Sequence, residues 1–182
     1  MADNGAVELI IPGEPVGKQR AKVFPVRTRT GLIIRRGVTP EKTVNYETLI
    51  RQLFAVKYPA FEPLEGPLAL TVEAFLLIPK SASGKKRAAM ADGEIIPEKR
   101  PDFDNLAKTA ADALQGVAFR NDSQIAEAVI LKRYSTAPRM KIVIEPVAEV
   151  EIGGRLTLAD IARSQSLYLR RAAELLRKGE QA

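Results

Sequence analysis

The chain has 182 residues, 46% apolar and 27% charged, with 28 Lys and Arg against 22 Asp and Glu and a formal net charge of +6. It has no His and no Cys, which excludes imidazole bases, thiolate nucleophiles, disulfides and Cys/His zinc sites, and leaves carboxylates, lysines, tyrosines or a bound metal ion for acid–base chemistry near neutral pH. The length suits one domain with an appendage; no apolar run approaches the roughly 18 residues of a membrane span, and the start MADNGAVELIIPG lacks the basic region of a signal peptide, so a cytoplasmic protein away from membranes is expected.

Val7 to Ile11 is an apolar run closed by Pro12 and predicts a first strand. The loop IPGEPVGKQR follows, held open by two Pro and two Gly. Val23–Val26 and Leu32–Ile34 flank TRTG and predict a β-hairpin, with Gly31 available for a positive φ. From Lys18 to Arg36 there are seven basic residues (Lys18, Arg20, Lys22, Arg27, Arg29, Arg35, Arg36) and no acid. Such a stretch attracts polyanions by neutralising phosphates and releasing counterions; a solvated basic surface is the plainer alternative. Thr39-Pro40 predicts a helix start, with a hydroxyl N-cap and Pro at the first position. Val44, Leu49, Ile50, Leu53, Phe54 and Val56 recur at helical spacing up to about Tyr58.

Leu68 to Ile78 is the strongest strand, alternating on one face and also apolar over the far half of the other, so both faces are expected to be covered. Pro79 ends it. Residues 80–101 form a long polar connection carrying Lys80, Lys85, Lys86, Arg87, Lys99 and Arg100, with a short helix expected around Gly84 to Ala91. A helix from about Phe103 to Gln115 follows, with Asp102 or Asp104 placed to cap its first turn and Gly116 at its end. Leu106, Ala110, Ala113 and Leu114 make its apolar face, while Asp104, Lys108 and Asp112 share a polar face at i, i+4 and i+8. Gln124 to Tyr134, the turn STAP and Arg139 to Glu145 predict a closing antiparallel hairpin, with Asp122 just before it. After Pro146, Leu158, Ile161, Leu169 and Leu176 predict an amphipathic helix over about 157–178, suited to docking or to bracing a dimer. Its phrase TLADIARSQ is similar to the opening of a helix-turn-helix unit, with too few residues left to complete one.

Asp102, Asp104 and Asp122 are hard oxygen ligands of the kind that suits Mg²⁺, which takes one or two carboxylates, waters and a phosphate. Each also has a structural reading. Asp102 and Asp104 could satisfy free N–H groups at a helix start, and turn chemistry alone accounts for an Asp at 122. Lys108 could pair with Asp104 or Asp112, or it could stabilise charge on a phosphoryl oxygen. Spacing leaves these readings open.

The string RPDFDNLAKTAADALQGVAFRNDSQI, with KRYSTAPRMKIVIE after it and IPGEPVGKQRAKV at the start, resembles the RusA family of Holliday-junction resolvases. The resemblance covers roughly Val7 to Pro146. It implies an α+β fold, with a small mixed sheet, two main helices and a homodimeric assembly, and would make residues 1–146 the nuclease domain; residues 147–182 lie beyond it and are expected, from their own apolar spacing, to be a C-terminal helical extension. It further implies a Mg²⁺-dependent endonuclease, often encoded by prophages, that nicks four-way DNA junctions symmetrically in recombination and repair. Asp102, Asp104 and Asp122 would be the metal-binding carboxylates, Lys108 the catalytic lysine, and Asn105 and Asp112 supporting residues. Asn121 stands where many relatives carry a further Asp. Junction phosphates would be held by the basic residues from Lys18 to Arg36 and by Lys85, Lys86, Arg87, Lys99 and Arg100. Another Mg²⁺ nuclease acting on flaps or forks, and a junction-binding protein without catalysis, are the competing readings.

Overall fold

In the computed structural model, residues 5–147 are described; the helix expected over 157–178 lies outside the described residues. Strand β1 (Val7–Pro12) alternates buried and exposed, so Val7, Leu9 and Ile11 all point inward. Strands β2 (Lys22–Arg27) and β3 (Ile33–Val38) pair antiparallel as a separate two-stranded ribbon. Its turn uses Gly31 at φ +84°, a left-handed conformation that a side chain resists. Helix α1 (Glu41–Lys57) follows, then the central strand β4 (Leu68–Leu77), helix α2 (Gly84–Ala91) and helix α3 (Phe103–Leu114). A 3₁₀ turn at Asp122–Gln124 leads into β5 (Ile125–Ser135), and β6 (Arg139–Pro146) closes the fold.

The four-stranded sheet runs β1-β6-β4-β5. β6 is antiparallel to both of its neighbours, and β4 and β5 are parallel. The expected hairpin of the last two strands is therefore not formed, because β4 lies between them. The turn after Ser135 crosses the end of β4, where Ile78 N–H donates to Ser135 C=O at 3.2 Å and Gly13 N–H to Pro138 C=O at 3.0 Å. β4 is the strand that is buried on both faces, and a central place is the one that satisfies it.

One sheet face is covered by α1 and α3. Tyr46, Ile50 and Phe54 from α1 and Leu106, Ala110, Ala113 and Leu114 from α3 pack on Leu9, Ile11, Leu70, Val72 and Ile142. Arg51 joins the two helices, donating from Nε to Ala113 C=O and from Nη2 to Asp112 C=O, both at 2.9 Å. A cation there satisfies late helix carbonyls and meets the negative end of the α3 dipole. The expected Thr39 cap is not made: the N-cap position is Pro40, without a side-chain hydrogen bond, and its carbonyl accepts from Thr43 and Val44 N–H. On the other sheet face Ala69, Thr71 and Glu73 are buried. Burial pushes the Glu73 carboxyl above the usual range, against the opposing pull of Lys141, Arg133 and Arg139.

The β4–α3–β5 crossover has a consequence for chemistry. α3 begins at the end of β4 and returns antiparallel to it, while the 3₁₀ turn sits beside the start of β4, where Leu68 pairs with Ile125. β4 spans about 33 Å and α3 about 18 Å. Asp102 and Asp104 thus stand at one end of the sheet and Asp122 at the other.

Candidate active site

The loop after β1 folds across the start of α3. Lys18 N–H donates to Asn105 C=O at 2.8 Å, and Gly17 lies so close that an added Cβ would fall 2.8 Å from Pro101 Cβ and 3.1 Å from Asn105 Cβ. The Lys18 ammonium then reaches Glu47 of α1 at 2.6 Å and Asp112 of α3 at 2.7 Å. Burial would lower its pKa, but the hydrogen bonds and charges of Asp112 and Glu47 outweigh that and hold it raised. Lys18, expected among the phosphate contacts, is engaged by two carboxylates and braces the loop against both helices. Asn105 and Asp112 take supporting parts in that brace.

Between this loop, the base of the ribbon and the start of α3 lies an open cleft of about 1320 Å³. Its lining includes Asp102, Asp104 and Lys108 together with Arg20, Lys22, Lys99 and Arg100. Seven basic and three acidic side chains line it in all, so its walls attract a polyanion while its carboxylates sit within them.

Asp102 holds the N-cap position of α3, with φ −73° and ψ 150°, yet its side chain accepts no capping hydrogen bond. The capping reading therefore does not account for it. Asp104 pairs with Lys108 at 3.7 Å, one helical turn on, with Lys108 64% exposed. A contact that long and that wet holds neither partner firmly. Two hard carboxylates on an open, cationic cleft fit a cation that binds through one or two carboxylates, waters and a substrate phosphate.

Asp122 is placed differently. Asn121 caps the 3₁₀ turn, its side chain accepting from Ser123 N–H at 3.0 Å. Gln124 anchors it: its Oε1 accepts from Arg120 and Asn121 N–H at 2.9 and 3.0 Å, and its Nε2 donates to Leu64 and Gly66 C=O at 3.0 and 3.1 Å. The turn needs Asn121 and Gln124, and leaves the Asp122 carboxylate exposed. One chain brings Asp102, Asp104 and Lys108 together but does not bring Asp122 to them. Among the described residues, no three acidic side chains are gathered to hold a metal.

Of the other basic residues, Arg27, Arg29, Arg35 and Arg36 are exposed on the ribbon, and Lys85, Lys86 and Arg87 are exposed on α2, outside the cleft lining. Lys99 lies against Tyr134, its Nζ 5.4 Å from the ring centroid. Lys42 also lines the cleft and was not expected there. Its sequence signal was a cation in a first helical turn, where the dipole disfavours one.

The close seat of Gly17 yields a prediction. In Gly17→Ala either the loop or the start of α3 must shift by a few tenths of an ångström, because the contacts are Cβ atoms without freedom to swing away. Misplacement on the ångström scale can cost about 100-fold in rate, so we expect the chemical step at this cleft, followed in a single turnover, to slow by about tenfold or more. Affinity for a polyanion, measured by titration, should change little, because the basic lining of the cleft is untouched.

No helix among the described residues is long and apolar enough to cross a membrane. The chain is similar to a protein of Bacillus subtilis (strain 168) described as uncharacterized protein YqaN, with 29% identity over 146 residues covering 78% of this chain and 97% of that protein. The family described as endodeoxyribonuclease RusA matches residues 12–145, from the end of β1 through nearly all of β6. By that match, which spans the cleft, the ribbon and Asp122 alike, the chain belongs to the RusA endodeoxyribonuclease family.

Proposed function

We infer that the chain is a Mg²⁺-dependent endonuclease which, as a homodimer, resolves four-way DNA junctions by paired symmetric nicks in recombination and repair in the cytoplasm. The observation that carries this is the pair Asp102 and Asp104, in a cleft with Lys108 and otherwise cationic walls, Asp102 with no capping bond to make. When bound, Mg²⁺ supplies Lewis acidity and lowers the pKa of attacking water. Asp102 and Asp104 would hold the ion. Lys108, exposed and weakly tied, turns its ammonium toward a phosphoryl oxygen as negative charge builds. Arg20, Lys22, Lys99 and Arg100 position the phosphates, and Lys42 is added to that set.

Asp122 enters through the second subunit. A two-fold axis makes any contact reciprocal, so a dimer that sets the 3₁₀ turn of one chain against the cleft of the other completes both sites at once. It also matches the symmetry of a four-way junction and explains why cuts would come in pairs. Residues 1–146 are the nuclease domain in this reading, and residues 147–182 an extension that the chemistry does not use.

The test is a labelled synthetic four-way junction incubated with and without Mg²⁺, with nicks mapped on all strands. Paired nicks at symmetric positions in Mg²⁺ alone are expected. Equal cutting of flaps or forks would point to a broader branch nuclease, and metal-independent binding with no cutting to a junction-binding protein.

A further inference from the structure

The ribbon of β2 and β3 exposes more apolar surface than a two-stranded element can leave in water. Directly opposed residues share a face, so the pairs Phe24–Arg36 and Val26–Ile34 stand on one side of it. Phe24 is 50% exposed, Ile34 44% and Val26 37%. Every residue of both strands is exposed, and two strands alone are marginally stable in water. This face calls for a partner.

Charge selects it. No acid occurs between Lys18 and Pro40, so mating the ribbon with a second copy would bring Lys22 and Arg36 against like cations with no carboxylate of the ribbon to offset them. Nucleic acid offers the opposite sign outside and apolar ring faces within. Position agrees with this. Lys22 lines the cleft beside Asp102 and Asp104, and Phe24 lies two residues up the same strand, about 7 Å away. A DNA strand whose phosphate rests in the cleft therefore presents its neighbouring bases to Phe24.

We propose that the Phe24–Val26–Ile34 face is a branch-point wedge: Phe24 stacks on a base freed where the duplex arms meet, and Arg36, directly opposite Phe24 on the same face, holds a flanking phosphate. This rests on the nuclease reading above and adds a base contact to its phosphate contacts. Apolar wedges that unstack base steps, and aromatic platforms that take up single bases, are general devices of nucleic-acid binding.

The test uses the full chain in EDTA with a four-way junction carrying 2-aminopurine beside the branch point. Wild-type protein should raise the 2-aminopurine emission on binding. Phe24→Ala should lose most of that rise and bind the junction about 5- to 150-fold more weakly, the span of base–aromatic stacking, with linear-duplex affinity unchanged. Phe24→Tyr should retain the rise. Arg36→Ala should weaken binding to both DNAs and keep the rise in the bound complex. The same rise and the same junction affinity in Phe24→Ala would overturn the wedge while leaving junction cleavage, and so the nuclease reading, intact. So would dissociation of a wild-type dimer by Phe24→Ala in sedimentation, which would assign the face to a second copy. Wild-type protein that neither prefers the junction in EDTA nor cuts it in Mg²⁺ would overturn both readings.

Discussion

Asp102→Asn, Asp104→Asn and Asp122→Asn should each lower Mg²⁺-dependent junction cleavage by at least about 100-fold, since a metal site contributes several kcal/mol of transition-state stabilisation. Each change removes a charge and almost no volume. None of the three carboxylates carries a structural duty that the variant would break: Asp102 makes no capping bond, Asp104 has one long surface contact, and the turn around Asp122 is held by Asn121 and Gln124. Melting temperatures should therefore stay close to wild type, and junction affinity in EDTA should persist or rise as repulsion of phosphate is relieved. Cleavage kinetics, thermal melts and binding titrations on the same preparations separate these effects. A variant that keeps wild-type cleavage would remove its residue from the metal site.

Mixing inactive variants gives a sharper result. Asp102→Asn and Asp122→Asn should each be inactive alone, yet co-refolded heterodimers should recover cutting, with one nick per junction. In such a dimer one site combines both defects, while the other joins an intact Asp102–Asp104 pair to the partner subunit's Asp122. Recovery follows only if carboxylates from opposite ends of the sheet meet between chains. Mixing Asp102→Asn with Asp104→Asn should recover nothing, because those residues share a cleft and every site then carries one defect. Should neither mixture cut, the two ends of the sheet act without each other and the shared-site dimer is wrong. A companion measurement without DNA cleavage is Mn²⁺ affinity by electron paramagnetic resonance, which should weaken on dilution as the dimer separates.

The sequence shows the individual elements better than their arrangement. Alternation at Val7–Ile11, the helical spacing around Leu106 and Leu114, and Gly84–Ala91 all correspond to observed elements. These patterns are local. The β5–β6 link misleads because a short turn between two alternating strands satisfies a hairpin and a split pair equally. The choice depends on β4, whose burial on both faces lets it take the middle of the sheet. At the site, Asp104 and Lys108 could be placed together because both lie on one helix at i, i+4. The placement of Asp122 depends on the crossover from β4 through α3 to β5, which no local pattern expresses. The pairing of Lys18 is hidden for the same reason: Glu47 and Asp112, which it contacts, are distant in sequence and meet only in the fold.

The interior position of β6 governs how the chain can fold. The last strand of the sheet to be synthesised lies between β1 and β4, pairing Val7 with Ile144 on one side and Leu70 with the same Ile144 on the other. Until residues near 146 have emerged from the ribosome, β1 has no neighbour in the sheet and β4 has one open edge. The helices can form early, but the sheet closes only once the two ends of the domain meet. Contacts so distant along the chain place folding toward the slow, millisecond-to-second end of the range for single domains. The unpaired edge of β4 is exposed for that interval, and an unpaired edge is a template for association. Aggregation during expression should thus respond to anything that delays β6, including truncations or linkers placed close after Pro146.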